Sequence, residues 1–367
     1  MHIVITTNLS FVAANFRGGL IRALVAAGHR VTVLAPEDRY SKTLRRMGAE
    51  VVPVPIARNG ANPLVEARSL AMIHARLRHL RPDMVFSYTI KNNIYAGLAC
   101  RALGLAFVPN VTGLGPAFGS RGVLGGVVRW LYGVALRRAV RVFFQNADDR
   151  AVFVDKGVVA PDRAHLLPGS GVNLTRFAMA GMPDDEHVVF LVVARMLRDK
   201  GIGVFVEAAR GLKARHPAVA FQLLGPVDPD SKTAIPQAQI DAWVAEGVVT
   251  YLGSKADVRP AIRQAHCVVL PSFYREGTPR SLLEAGAMGR PLITTDMPGC
   301  RDTVADGVNG FLVPPQDAKA LAEAMGRFLA LTPAQRAAMG AASRRHVESH
   351  YDERIVVDAY LDLIKGA

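Results

Sequence analysis

Cysteine is scarce in this chain of 367 residues, which has only Cys100, Cys267 and Cys300, with no Cys-x-x-Cys pair and no regular spacing. That excludes a disulfide framework and a thiolate zinc site, and it reads as a reducing compartment. The ten histidines form neither His-x-His nor His-Glu-x-x-His, so no catalytic metal centre is announced. Asp228-Pro229-Asp230 comes nearest to a metal-binding Asp-x-Asp. It follows Gly225 and carries a proline between its acids, so it reads as a turn. Long apolar runs are missing too, and none reaches the roughly 18 residues of a spanning helix. The opening MHIVITTNLSF lacks a basic flank and a small-residue cleavage site, so it reads as folded domain, not signal peptide. These absences lead to the expectation of a cytoplasmic protein.

Acidic charge is lacking in one half only. Met1 to Phe177 holds 23 Lys and Arg against 9 Asp and Glu, whereas the remainder holds 21 against 22. An excess confined to one half suits nucleic acid, an anionic membrane surface or a phosphorylated substrate. No zinc finger, aromatic RNA-binding motif or basic zipper accompanies it, which disfavours nucleic acid.

Strand and helix patterns alternate throughout. HIVIT, RVTVLAP, EVVPVPI, DMVFSYT, AFVPNVTG, RVFFQN and HLLPGSGVN read as strands in the first half. HVVFLVVAR, AFQLLG, VTYLG, CVVLPS, PLITTD and GFLVP read as strands in the second. Such alternation predicts parallel sheets with right-handed crossovers, in two doubly wound Rossmann-like domains facing a cleft. The domains are expected at residues 1–177 and 178–350, joined near Ala178 to Glu186. Residues 351–367 form an amphipathic helix that can pack on either domain.

In such sheets ligands bind beyond the carboxyl ends of the strands. Arg195, Gly225, Gly253, Ser272 and Asp296 fall there in the second half. REGTPRSLLEAGAMGRP follows one of these ends. Thr278 suits an N-cap and Pro279 a first helical position, which places Glu276 in the loop and Glu284 inside the helix. The free N–H groups of that helix end suit a phosphate, and the two carboxylates suit sugar and ribose hydroxyls. In the first half Arg17, Gly18 and Gly19 are expected at a strand–helix turn, where glycine lets the backbone approach a phosphate. Lys91 opens a helix after DMVFSYT and is a candidate for an acceptor diphosphate, with Asn92 beside it.

These motifs resemble the retaining glycosyltransferases of family 4, which have the GT-B fold. The family's Glu, seven residues, Glu signature matches Glu276 and Glu284, and its basic pair matches Arg195 and Lys200 in ARMLRDKGIGVFVEAA. The resemblance implies that Glu276 contacts the donor sugar, Glu284 the ribose, and Arg195 and Lys200 the diphosphate as it leaves. It extends the donor set to Gly277, Thr278, Pro279, Ser281 and Leu282. IKNNIYAGLACRALG and VTGLGPAF look like the subgroup acting on polyprenyl-diphosphate-linked sugars, including bacterial N-acetylgalactosaminyl transferases. Acceptor contacts are then expected at Lys91, Asn92, Thr112 and Gly113. Many members carry a histidine near the reacting sugar; at the VTGLG stretch this chain has Thr112. The resemblance therefore implies a retaining, metal-independent hexosyltransferase without a side-chain base, using a UDP-sugar in surface-glycan or glycoprotein glycan assembly. A GT-B sugar-nucleotide epimerase and an inactive membrane scaffold are the rival readings.

RGVLGGVVRWLYGVALRRAVR, Arg121 to Arg141, is apolar with arginines at both ends and Trp130 and Tyr132 inside. It suits either a core helix or a helix lying in the headgroup layer of a membrane. The second option predicts peripheral attachment to the cytoplasmic face of the inner membrane.

Overall fold

The structure is a computed structural model that describes residues 1–56, 62–114, 118, 122–184 and 187–366. Arg121, and Asp185 and Glu186 of the expected join, lie outside the described residues. The chain divides into two compact units, Met1–Gly171 with Glu353–Ala367, and Val172–Asp352. The division falls six residues before the expected boundary because the segment after Gly171 already belongs to the second unit. Val172 N–H donates to the Tyr351 carbonyl at 2.7 Å, and Phe177 is buried in that unit's core.

Among the described residues the first unit holds seven strands: β1 (His2–Thr6), β2 (Arg30–Ala35), β3 (Glu50–Pro53), β4 (Met84–Tyr88), β5 (Ala106–Val111), β6 (Val142–Phe144) and β7 (Ala164–Leu166). All pair in parallel in the order β3-β2-β1-β4-β5-β6-β7. β1 and β4 are central, and their apolar runs HIVIT and MVFSY are buried almost throughout, as strands covered on both faces must be. Helix Pro63–Leu80 starts with Asn62 accepting from Leu64 N–H and Pro63 in its first turn. It ends at Arg81, left-handed at φ 45°, before Pro82. The terminal helix Glu353–Lys365 buries Val356, Tyr360, Leu363 and Ile364 in this unit's core. The Tyr360 ring lies 4.7 Å from Phe86 and 5.0 Å from Phe143.

The second unit holds β8 (Val189–Val193), β9 (Ala220–Leu224), β10 (Thr250–Tyr251), β11 (Cys267–Leu270), β12 (Leu292–Thr295) and β13 (Gly310–Val313). They too are parallel, in the order β10-β9-β8-β11-β12-β13. The order reverses between β1 and β4 in one sheet and between β8 and β11 in the other. At such a switch point the connections leave in opposite directions and open a crevice beyond the strand ends.

One polar group ties the second unit together from inside. Arg290 is fully buried. Its guanidinium donates to the carbonyls of Ile262 at 3.0 Å, Gly181 at 2.7 Å and Arg263 at 3.1 Å. Replacing it removes three hydrogen bonds donated by a buried cation, one to the buried Ile262 and two to the more exposed Gly181 and Arg263, each contributing about 1 kcal/mol. Arg290→Met is expected to lower stability by about 2–4 kcal/mol, read as the urea midpoint of the second unit's transition. An unchanged midpoint would show that these carbonyls find other donors.

Candidate functional site

The two loops at the β8/β11 switch point are bound to each other. The Asp199 carbonyl accepts from Phe273 N–H at 3.0 Å and Tyr274 N–H at 3.2 Å. Gly201 permits this approach. Its φ is +74°, and a Cβ there would lie 2.0 Å from the Pro271 carbonyl oxygen. The consequence is electrostatic. Lys200 Nζ forms an ion pair with Glu276 Oε1, and the same oxygen accepts from Ser272 Oγ at 2.9 Å. Both side chains are largely enclosed, 16% and 12% exposed. Cys300 lies nearby, its thiol pushed up to about 12, first by burial and then by the Glu276 charge. It is held as a neutral thiol and is no nucleophile.

Arg195, just after β8, donates from Nη1 to Asp228 Oδ2 at 3.0 Å. Asp228 is 10% exposed and Arg195 is 48% exposed, so a buried carboxylate anchors a cation that still faces solvent. The turn at Asp228 is present, with Ser231 N–H donating to the Asp228 carbonyl at 3.0 Å. The sequence reading missed its side chain. The usable signal was an acid at the carboxyl end of β9, the strand beside β8.

The helix after Glu276 runs Arg280–Ala287. Pro279 occupies the N-cap position with ψ 110°, and no side chain caps the helix, so Thr278 is not the cap that the sequence suggested. Glu284 lies inside the helix, where the sequence placed it. It pairs along the helix with Arg280, Nε to Oε1 3.1 Å, each side chain 14% exposed. Burial raises the Glu284 carboxyl above the usual range, and the charges of Arg280 and Arg176 pull it back. Leu282 is fully buried in the core, so its side chain is not presented to a ligand. Ser281 is half-buried and Gly277 buried. Gly225 spends its N–H on the Gly253 carbonyl at 2.9 Å. A Cβ on Gly225 would meet the Ala194 carbonyl oxygen at 1.8 Å, which explains the residue by strand packing.

In the first unit the expected glycine turn takes another form. Helix Ser10–Phe16 intervenes after β1, so Arg17 sits between two successive helices and not at a strand–helix turn. Arg17 is buried, its guanidinium 4.1 Å over the Tyr88 ring. A Cβ on Gly18 would lie 3.1 Å from the Met47 methyl, and one on Gly19 2.6 Å from the Glu353 carboxylate, so both glycines face the ends of protein side chains. Lys91 is not an open cation. Its Nζ is 2.6 Å from Glu66 Oε1, and Tyr95 donates to the other Glu66 oxygen. Asn92 is fully buried and donates to Thr89 Oγ1 at 3.0 Å. Thr89 is held at φ 75°, a left-handed conformation costly for a β-branched residue. Thr112 is half-buried and Gly113 buried with φ 117°.

A polar layer sits at this second switch point. The hydroxyls of Thr6, Thr7 and Ser87, the side-chain oxygens of Asn8 and Asn92, and Arg17 Nε are buried without a protein hydrogen-bond partner. Buried unsatisfied groups at this density are unusual, and ordered water enclosed among them would supply their partners. Among the described residues, no three His, Cys, Asp or Glu side chains are grouped to hold a metal ion. No helix among them is long and apolar enough to cross a membrane.

Comparison with known proteins places this geometry. Residues 13–169 match the family model "Glycosyl transferase 4-like domain", and residues 187–330 match "Glycosyl transferases group 1". The chain is 28% identical, over 95% of its length and 94% of the relative, to N,N'-diacetylbacillosaminyl-diphospho-undecaprenol alpha-1,3-N-acetylgalactosaminyltransferase of Campylobacter jejuni. It is 25% identical, over 75% of its length and 73% of the relative, to UDP-Gal:alpha-D-GlcNAc-diphosphoundecaprenol alpha-1,3-galactosyltransferase of Escherichia coli. Among solved structures, Anabaena HepE in complex with UDP and glucose superposes with a TM-score of 0.81 at 18% identity, covering 100% of both chains. A glycosyltransferase from Rickettsia africae gives 0.79 at 18%, covering 100% of this chain and 98% of the other. With both halves matched and both sheets built as such enzymes build them, the chain belongs to the family 4 glycosyltransferases of GT-B fold.

Proposed function

We propose that the chain transfers an N-acetylhexosamine from a UDP-sugar to a polyprenyl-diphosphate-linked saccharide, retains the anomeric configuration and needs no metal ion. One observation carries the reading. Lys200, Glu276 and Ser272 meet at the β8/β11 switch point, with Arg195 on the same sheet edge. The two relatives named for diphospho-undecaprenol sugars support the acceptor class, and one of them is named for a UDP-sugar.

The chemistry follows from the charges. Donor cleavage breaks the bond between the anomeric carbon and the diphosphate oxygen, so negative charge grows on the leaving group. Arg195 and Lys200 supply the opposing charge from held positions. A diphosphate seated on Lys200 competes with Glu276 for it. The released carboxylate is then available to a donor-sugar hydroxyl, and Glu284 to the ribose. The acceptor oxygen bonds to the anomeric carbon on the face the diphosphate leaves, and its proton passes to the departing phosphate. No side-chain base is required. In the first unit, the Lys91 and Asn92 region, Thr112, Gly113 and the unpartnered polar layer form the candidate acceptor surface.

Glu276→Ala and Arg195→Ala are each expected to cut transfer about 100- to 1,000-fold, and Glu276→Ala is also expected to lower the thermal unfolding midpoint, because it leaves Lys200 enclosed without its carboxylate. Full activity of either variant would refute the reading. Product analysis by NMR should show the donor's anomeric configuration, and inversion would refute retention. Glu284→Gln should raise the donor KM about tenfold and leave kcat within a small factor, because a charged hydrogen bond to a binding hydroxyl is lost. An unchanged KM would remove Glu284 from the donor site. Activity should survive excess EDTA, and loss restored by added magnesium would overturn metal independence.

A further inference from the structure

Helix Val123–Leu136 has two contrasting faces. Tyr132, Ala135 and Leu136 are buried in the core of the first unit. On the other side Val127 is 47% exposed and Trp130 66% exposed, with Val140 beyond the helix at 50%. A tryptophan gains nothing in water from such exposure. Cations surround it. A groove of ≈ 490 Å³ is lined by Arg129, Trp130, Val134, Arg137 and, from after the helix Ala147–Asp155, Lys156 and Val158. Arg163 donates to the Arg137 carbonyl at 2.9 Å, which brings a further guanidinium to the same place. The groove lining includes three cations and no carboxylate. From Gly122 to Val142 there are four arginines and no acidic residue.

We propose that this face docks on an anionic phospholipid surface, with Trp130 at headgroup depth and Arg129, Arg137 and Lys156 on lipid phosphates. Charge complementarity selects this occupant, since apolar side chains ringed by cations match an interface that is apolar below and anionic above. Nucleic acid would use the cations and leave the exposed valines unsatisfied. The proposal deepens the reading of a lipid-borne acceptor, because a docked enzyme meets acceptors confined to the membrane plane. It does not involve the residues assigned to transfer.

The test uses the full chain and vesicles free of any acceptor. The Trp243→Phe variant leaves Trp130 as the sole tryptophan. Its emission should shift to the blue with vesicles of phosphatidylglycerol and phosphatidylcholine, and not with phosphatidylcholine alone. Co-sedimentation should weaken with salt. The double variant Arg137→Glu and Lys156→Glu should bind at least roughly 25-fold more weakly, at about fivefold per cation. Transfer to an acceptor held in detergent should be unchanged in that variant. Equal vesicle binding by the double variant would overturn the proposal, as would an unshifted Trp130. Duplex DNA that produced the same shift would also overturn it and mark a general polyanion patch. If vesicle binding fails while detergent-phase transfer persists, only the docking surface falls. If transfer fails while binding persists, the proposed function falls.

Discussion

The ion pair between Lys200 and Glu276 is the constraint on which the second unit's site depends. Two largely enclosed charges are tolerable only while each answers the other. Ser272 gives the carboxylate a second donor, and the Asp199 carbonyl ties the two loops together. Gly201 supplies the backbone shape that lets those loops touch. Remove either charge and the other is left enclosed without its partner. A ligand that enters here must therefore bring its own anion for Lys200 and its own donors for Glu276. A sugar diphosphate carries both groups in one molecule.

The first unit solves the same topological problem without charge. Its switch point presents hydroxyl and amide oxygens that lack partners, beside a threonine held in a left-handed conformation. Neutral, unsatisfied groups fit hydroxyls and water better than they fit a phosphate. Its candidate cation, Lys91, is answered by Glu66, and Arg17 is spent on the Tyr88 ring and the Gly169 carbonyl. The contrast supports a division of labour in which the diphosphate is gripped in the second unit and saccharide hydroxyls are received in the first.

All thirteen strands of the described residues were legible in the sequence, because buried parallel strands are short apolar runs bounded by turn residues and rich in β-branched side chains. Glu276 and Lys200 were legible as motif positions. Their direct pairing was not, since it depends on two loops 76 residues apart meeting at adjacent strand ends. Asp228 was hidden for the same reason, as its partner comes from the neighbouring strand's loop. The helix start was misplaced by one residue because Thr-Pro satisfies the local cap rule while Pro279 takes an extended ψ. Helix Ser10–Phe16 escaped notice because seven residues are too few for periodicity to speak. Gly18 and Gly19 suggested a phosphate approach, yet what approaches is Met47 and Glu353, and sequence alone does not separate those cases.

The charge asymmetry has a use that the transfer site does not exhaust. Arg195, Lys200 and Arg280 are paired with Asp228, Glu276 and Glu284, and Lys91 with Glu66. The candidate site is therefore close to neutral by its own residues. It accounts for none of the 23-to-9 excess of the first half. If that excess served only solubility, it would be spread among exposed polar side chains, away from apolar surface. Instead Arg129, Arg137 and Lys156 line one groove with an exposed tryptophan, on a helix whose opposite side is packed core. Exposed apolar groups ringed by cations match a lipid interface that is apolar below and anionic above. The pattern is better explained by a surface the enzyme rests on than by the reaction it performs.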